Sequence, residues 1–163
     1  MQLIFVVEAS KESKSDFYYI SETLKEFYNI LGHKITPIYM EGKGNFSKKQ
    51  DEINKNISKY KGISKIFFCY DIDNPTSPIY SLNKSIEVYA KAKGYETIWF
   101  YENVEQVYLK NDVHNSEKTK TAKKFVAHNL IHSVVEKDLS QTIISRKKSS
   151  NILTVIDKYL QRK

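Results

Sequence analysis

The chain of 163 residues predicts an α/β fold: a doubly wound sheet of about four mainly parallel strands, with helices on both faces. Three observations predict it. Short apolar runs alternate with segments of helical period. The runs are almost uninterrupted in apolar residues, which is typical of strands buried on both faces. The connections between them are short, as right-handed crossovers require. We expect residues 1–110 to form the α/β core and residues 111–163 to form a helical extension packed on the same domain.

The first half of the chain predicts two strands and two helices. Residues 2–7 are continuously apolar and predict a buried strand. A helix is predicted from residue 12 onward because its apolar residues share one stripe. That stripe consists of Phe17, Ile20, Leu24, Phe27 and Leu31. Residues 35–40 predict a second strand, placed at a sheet edge because Pro37 cannot donate a ladder hydrogen bond. A polar helix is predicted over residues 47–60.

The second half begins with the most apolar strand candidate, residues 63–70, which ends abruptly at Asp71. Ile79, Leu82, Ile86 and Tyr89 mark a helix, and Gly94 stands where its C-cap belongs. Residues 96–101 predict a fourth strand. Less regular helical patterns follow at 104–108, 117–135 and 150–161.

Composition favours a polyanionic partner and excludes some protein classes. The formal net charge is +7 and the pI is near 9.2, and lysines that neutralise phosphates release counterions. Because only two of the 26 basic residues are arginine, and because genome composition can also enrich lysine, charge alone does not decide the partner. No apolar stretch approaches the roughly 20 residues of a membrane span. A single cysteine, Cys69, rules out an internal disulfide and predicts a buried thiol. We expect a cytoplasmic protein.

Carboxylates follow the predicted strands at one edge of the sheet. Glu8 follows the first strand, Asp71 and Asp73 follow the third, and Glu105 lies one helical turn beyond the fourth. If strands one and three are neighbours, their ends lie about 5 Å apart. Carboxylates held that close repel one another unless a cation neutralises them. An all-oxygen set of this kind favours Mg²⁺ or Mn²⁺.

A structural alternative stays open for the two aspartates. A carboxylate directly after a strand often caps the next helix, and Asp71 or Asp73 could do so here. One such residue alone would favour the cap. The combination of Glu8 with an Asp-x-Asp pair favours a metal site.

The motifs around these carboxylates resemble the Toprim domain. In that family a glutamate ends the first strand and an Asp-x-Asp ends the third, as in Val7-Glu8-Ala9-Ser10-Lys11-Glu12 and Phe68-Cys69-Tyr70-Asp71-Ile72-Asp73. Among Toprim proteins the chain is most similar to the small RloB-like and OLD-type nucleases, with Ala9 replacing a family glycine. Asn103-Val104-Glu105 is similar to a later family element but lacks its proline. The resemblance covers roughly residues 1–110.

The resemblance implies Mg²⁺-dependent hydrolysis of phosphodiesters in DNA or RNA, in some relatives as part of defence against phages. It implies that Asp71 and Asp73 hold Mg²⁺ (or Mn²⁺) and that Glu8 is either a metal ligand or the proton-transfer group. Glu12 and Glu105 become further catalytic candidates. An ATPase or another protein is an implied partner, and the oligomeric state stays open, a dimer included. Tyr70, Tyr101 and Tyr108 are interpreted as packing or base-stacking residues.

Five lysines are candidates for contact with nucleic acid. Lys11 lies beside the first acidic motif, and the others lie in a basic run. That run contributes Lys118, Lys120, Lys123 and Lys124. A second basic run occupies residues 146–148. Lysines on a polar helix are often simply solvated, so both interpretations stay open.

The sequence offers three alternatives to the nuclease. Asp71-x-Asp73 followed by Thr76 is similar to the motif of haloacid dehalogenase-like phosphatases, but it stands on the wrong strand and lacks the later acids. His128 and His132 have the spacing of a zinc pair but no third ligand. The main alternative is a non-catalytic, Toprim-like module that binds a nucleotide or a partner protein.

Overall fold

The computed structural model describes residues 1–144 and 147–163 and contains one four-stranded sheet. All pairings are parallel, in the order β2-β1-β3-β4. The strands are β1 (Gln2–Val7), β2 (Lys34–Tyr39), β3 (Ser64–Ile72) and β4 (Glu96–Tyr101). The predicted α/β class and parallel sheet are confirmed. So is the edge position of the strand that carries Pro37.

The strand register places the ends of β1 and β3 side by side. Val7, the last residue of β1, pairs with Cys69 of β3 on one side and with Tyr39 of β2 on the other. β3 then continues beyond β1, and Asp71 pairs with Phe100 of β4. The third strand was predicted to end at residue 70, which is wrong: pairing with β4 holds it extended to Ile72. Asp71 is therefore part of the strand, and only Asp73 follows it.

Seven helices and three 3₁₀ turns connect and cover the strands in the described residues. The helices are α1 (Ser15–Phe27), α2 (Gln50–Ser58), α3 (Ser81–Lys93), α4 (Val104–Leu109), α5 (Lys118–Ala127), α6 (Glu136–Leu139) and α7 (Ile152–Ile156). The 3₁₀ turns are Lys43–Lys49, Asn115–Glu117 and Leu130–Ser133.

Two apolar cores lie on opposite faces of the sheet because successive strand residues point to opposite sides. Phe67 and Cys69 of β3 belong to the core that β1 and β4 share with α1, α4, α5 and α7. Phe68 and Tyr70 belong to the other core, against α2 and α3. Helices on both faces confirm the doubly wound arrangement. Cys69 is buried as expected, and burial raises the pKa of its thiol.

Residues beyond 110 complete the first of these cores. Phe125 of α5 is buried against Tyr19 of α1, with ring centroids 4.8 Å apart. Ser150 forms an antiparallel bridge with Phe100 of β4, and Ile152 of α7 is fully buried. The face of β4 and the outer side of α1 are thereby covered by the C-terminal segment. Among the described residues, no helix has the length and apolar character needed to span a membrane.

Several predicted helix bounds were too long. α1 ends at Phe27, and Leu31, which was placed on its apolar stripe, is 89% exposed. The helix predicted over 117–135 stops at Ala127, because Asn129 adopts a left-handed conformation with φ of 52°. This break puts His128 and His132 on separate elements. The last helix covers Ile152–Ile156 instead of 150–161. Gly94 does end α3, with φ of 69°.

Candidate functional site

A small acidic cleft lies at the carboxyl edge of the sheet, where β1 and β3 meet α1 and α5. Its volume is about 250 Å³. It is lined by Glu8, Ala9, Ser13, Ser15, Asp16, Asp71, Asn115, Lys118 and Thr119. Three carboxylates and one ammonium group thus share a cleft at the edge where ligands bind in open α/β sheets.

Glu8 stands between the two faces of the sheet, directly after β1. Its Oε1 accepts a hydrogen bond from the backbone N–H of Asp71, at 2.8 Å, and lies 3.4 Å from the Nζ atom of Lys43. Burial raises the pKa of Glu8 from 4.5 to about 7, although Lys43 and the Asp71 N–H both oppose the rise. A carboxyl with a pKa near neutrality can both take up and release a proton under ordinary conditions.

Asp71 faces the cleft from the α1 side of the sheet, the side of Phe67 and Cys69. Its Oδ1 accepts a hydrogen bond from the backbone N–H of Val104, at 3.0 Å, which ties β3 to the start of α4. Burial, then the nearby carboxylate of Glu8, raise its pKa well above the usual range. Neither Asp71 nor Asp73 caps the helix that follows them, since α3 has no side-chain cap. The helix-cap alternative for α3 is therefore wrong.

Asp16 is a member of the cleft that the motifs did not indicate. It lies in the first turn of α1 and accepts hydrogen bonds from the backbone N–H of Ala9, at 2.9 Å, and from Ser15 Oγ, at 3.1 Å. The bond from Ala9 holds the loop after β1 against the helix. Burial nevertheless raises the pKa of Asp16 above its usual value. Burial is thus the first cause of the raised pKa of all three acids in the cleft, Glu8, Asp16 and Asp71, and it favours their neutral forms.

A buried ion pair closes the side of the cleft next to α5. Glu105 of α4 is fully buried, and its Oε2 lies 3.2 Å from the Nζ atom of Lys118. Burial raises the pKa of Glu105, and the ammonium group offsets this only in part. Burial lowers the pKa of Lys118, but Glu105, Asp71 and Asp16 outweigh it and raise the pKa overall. Lys118 is thus held as a cation facing the acids of the cleft.

Asp73 lies apart from this cleft, against a buried lysine. The side chain of Lys43 is only 1% exposed, and its Nζ forms an ion pair with Asp73. The same Nζ donates to the backbone oxygen of Asp71, at 2.5 Å, and to Oδ1 of Asn83 in α3, at 2.8 Å. It also lies 5.8 Å from the ring centre of Tyr70, which faces the α3 side of the sheet. The Asp-x-Asp pair is therefore divided: the Asp71 carboxylate lies in the cleft, and Asp73 pairs with Lys43.

The predicted Glu8, Asp71 and Asp73 set does not converge on one point, because Lys43 occupies the space between Glu8 and Asp73. Within residues 1–144 and 147–163, no group of three or more His, Cys, Asp or Glu side chains is arranged to hold a metal ion. A hydrated Mg²⁺ needs less, since it keeps several waters and takes only one or two protein carboxylates. The chemistry of Asp71, Asp16 and Glu8 fits such a hydrated ion.

The remaining acidic and basic candidates lie outside the cleft. Glu12 and Lys11 are exposed in the turn before α1 and do not line it. Lys120, Lys123 and Lys124 are exposed on α5, whose inner residue Lys118 reaches the acids. The structure therefore separates Lys118 from the other three lysines of its run.

A second, larger cavity of about 690 Å³ adjoins Asp73 at the ends of β3 and β4. Tyr101 lines it, together with Tyr80 and Lys147. Of the second basic run, Arg146 lies outside the described residues, and Lys148 Nζ donates to the backbone oxygen of Lys110.

The other two tyrosines interpreted as packing or stacking residues are buried. The Tyr70 hydroxyl bonds to Glu87, at 3.0 Å, and the Tyr108 hydroxyl bonds to Thr23, at 2.6 Å. Both are therefore packing residues.

Two side chains at this edge of the sheet, Asp16 and Lys43, were not predicted from the sequence, for physical reasons. Asp16 reads as an ordinary acidic residue in the first turn of a helix, where the helix dipole favours it. Lys43 stands in a Gly-Lys-Gly loop, and only the fold shows that it points inward. The only hint in the sequence is Gly42, since glycine permits a sharp turn of the chain just before Lys43. In the structure Gly42 has a φ of 110°, and its N–H donates to the Glu8 backbone oxygen, at 3.1 Å.

Comparisons of the chain with protein-family models, with curated proteins and with solved structures found no match. The resemblance to the Toprim domain therefore stays a prediction carried by the motifs around Glu8 and Asp71.

Proposed function

We propose that the chain hydrolyses phosphodiester bonds in nucleic acid with the help of a bound Mg²⁺ or Mn²⁺ ion. One observation carries this proposal: Glu8, Asp16 and Asp71 come from three different elements, line one cleft and have raised pKa values. A binding site for bare phosphate would gain from cations at this place. Carboxylates in this number repel phosphate unless a metal ion lies between them.

Each side chain of the cleft has a role in this proposal. Asp71 and Asp16 would hold the ion, directly or through its waters. The ion would polarise the phosphoryl oxygens and stabilise charge on the attacking or leaving oxygen. Glu8, fixed by the Asp71 N–H, exchanges a proton with the attacking water or with the leaving oxygen. Lys118 faces the acids as a second positive charge and contacts the phosphate from the α5 side.

The surface beside the cleft supports a polyanionic substrate. α5 carries Lys118 at its inner side and exposes Lys120, Lys123 and Lys124 along its length. A strand of nucleic acid bound in the cleft would extend along these lysines, and each contact would release counterions. The net charge of +7 agrees with such a partner.

The alternative of a non-catalytic binding module is favoured by one observation. Lys43 already neutralises Glu8 and Asp73, which lowers the demand for a metal ion at that end of the acidic edge. In this case the chain would bind a nucleotide or a protein and would not cleave anything. Activity measurements separate the two functions.

The test uses the purified chain of 163 residues with single-stranded DNA, double-stranded DNA, RNA and tRNA, in Mg²⁺, Mn²⁺ or EDTA. We expect cleavage of at least one substrate that needs the divalent ion. Glu8→Gln keeps the shape of the side chain but removes the proton-transfer group, and it should lower the rate about 100-fold or more. Asp71→Asn removes a carboxylate that would hold the ion, and it should lower the rate and raise the concentration of divalent ion that cleavage needs. Asp51→Asn, at an exposed position of α2, is the matched control.

Two results would contradict the nuclease. One is the absence of metal-dependent cleavage of all four substrates. The other is cleavage that persists unchanged in Asp71→Asn and Glu8→Gln, which would point to a contaminating enzyme. Binding of a substrate without cleavage would instead support the non-catalytic module.

A further inference from the structure

The ammonium group of Lys43 is buried among oxygen atoms at the carboxyl edge of the sheet, a position that could otherwise take a free cation. Its side chain is 1% exposed. Because lysine is almost never fully buried unless it is paired, the oxygen atoms around it are what make this position possible. The loop after β2 delivers it: Met40 N–H donates to the Val7 backbone oxygen, at 2.7 Å, and Gly42 N–H donates to that of Glu8, at 3.1 Å. The loop is thus fastened to the end of β1, and the next residue points into the sheet edge.

Four oxygen atoms surround the ammonium group, and we call them the Lys43 cage. They are Glu8 Oε1 at 3.4 Å, Asp71 O at 2.5 Å, Asn83 Oδ1 at 2.8 Å and Asp73 Oδ2. Three of them accept hydrogen bonds from the three N–H groups of the ammonium. The fourth, Glu8 Oε1, forms an ion-pair contact. Two carboxylates, an amide oxygen and a backbone oxygen are also the ligand types that hard divalent cations take.

The ammonium group of Lys43 determines the orientation of the Asn83 side-chain amide. The residue is 8% exposed, and its Oδ1 faces Lys43. Its Nδ2 is buried without a hydrogen-bond partner in the part of the chain that the structure describes. An unpaired buried amide N–H costs free energy. The contact between the amide oxygen and the positive charge offsets that cost.

We propose that Lys43 is a built-in cation that fills a latent divalent-cation site, the Lys43 cage. Removal of the ammonium group leaves four oxygens with two carboxylates around a vacated space, and that space will bind a free divalent ion. In the wild-type chain, by contrast, a divalent ion binds only in the cleft of Glu8, Asp16 and Asp71. The count of one ion in the wild-type chain rests on the proposed function, whereas the cage itself does not.

The proposal assigns different roles to the two aspartates of the Asp-x-Asp motif. Asp71 gives its carboxylate to the cleft and only its backbone oxygen to the cage. Asp73 gives its carboxylate to the cage. Removing the charge of Asp73 should therefore abolish the latent site, and removing the charge of Asp71 should abolish the cleft site but leave the latent site in place.

The first experiment counts bound Mn²⁺ by calorimetry and electron paramagnetic resonance. We expect Lys43→Ala to bind one more ion per chain than wild type, and Lys43→Ala with Asp73→Asn to lose that extra ion. Lys48→Ala, at an exposed position of the same 3₁₀ turn, is the matched control and should bind as wild type does. A folded Lys43→Ala variant that binds no extra Mn²⁺ would overturn the proposal.

Failure of the proposed function gives a different result from failure of this inference. If the cleft binds no metal, wild type binds no ion and Lys43→Ala still binds one. If the cage is not a cation site, wild type and Lys43→Ala bind the same number, whatever that number is.

A second measurement keeps the proposal testable if Lys43→Ala does not fold. In wild-type chain labelled with ¹⁵N, the Lys43 ammonium should give a slowly exchanging ¹H–¹⁵N signal, because its hydrogens are buried and bonded. Addition of Mg²⁺ should leave that signal in place. Loss of the signal on adding Mg²⁺, or its absence at the start, would show that Lys43 does not fill the cage.

Discussion

The pH dependence of stability should reveal the partly buried carboxyl of Glu8, whose side chain is 18% exposed. Burial raises its pKa from 4.5 to about 7, so the folded chain binds this proton more tightly than the unfolded chain does. The stability contribution is therefore fully present below pH 4.5 and is lost as the pH rises toward 7. Each pKa unit corresponds to about 1.36 kcal/mol, so the loss amounts to roughly 3 kcal/mol.

Glu8→Gln is the perturbation that isolates this contribution. Glutamine keeps an oxygen for the Asp71 N–H but carries no titrating proton. Urea unfolding of wild type and variant, in EDTA, gives both free energies of unfolding at each pH. As the pH rises from 4.5 toward 8, the difference should move by roughly 3 kcal/mol in favour of glutamine. Mg²⁺ at the upper pH should restore wild type more than the variant, because it neutralises the ionised carboxylate.

Glu12→Gln, in the exposed turn that follows, controls for the general effect of removing one carboxyl. A constant difference in unfolding free energy between wild type and Glu8→Gln across this pH range would refute a raised pKa of Glu8. So would a loss of stability of the variant relative to wild type as the pH rises.

Three further predictions concern the surroundings of the cleft. Lys118→Met leaves Glu105 buried without its cation, so it should lower the free energy of unfolding by about 3–5 kcal/mol. Adding Glu105→Gln to this variant should recover most of that loss, and urea unfolding measures both effects. Replacing the lysines at 123 and 124 by glutamine should weaken the binding of double-stranded DNA. The slope of the logarithm of the binding constant against the logarithm of the salt concentration should become shallower by about 0.9 per lost phosphate contact. Gly42→Ala should destabilise the fold by about 1 kcal/mol or more, because its φ of 110° strains any side chain. Gly44→Ala, which meets open space, is the control and should change thermal stability far less.

Sequence patterns predicted the fold well because each strand carries its own local signal. The apolar runs of β1 and β4 match the structure to within a residue, and Pro37 correctly marked the edge strand. Errors concentrate at element ends, where tertiary contacts decide. β3 is prolonged to Ile72 by pairing with β4, and nothing in its own residues signals that partner.

The candidate site was predictable only where residues follow strands. Glu8 and Asp71 come together because parallel strands end at one edge of the sheet, which is a topological consequence. Asp16 joins them from a helix, through a bond to Ala9 that spans 7 residues of chain. Lys43 joins them from a loop that Gly42 redirects, through bonds that span 28 to 40 residues. The division of Asp71 from Asp73 follows from the same inward turn of Lys43, which places a positive charge against Asp73.

The most direct test of the central claim is a calorimetric titration of Mn²⁺ into wild type and Asp71→Asn near pH 8. The acidic cleft should bind one ion per wild-type chain, and Asp71→Asn should bind none in the same concentration range. Absence of binding to wild type, or equal binding to both proteins, would contradict a metal-dependent site at Asp71.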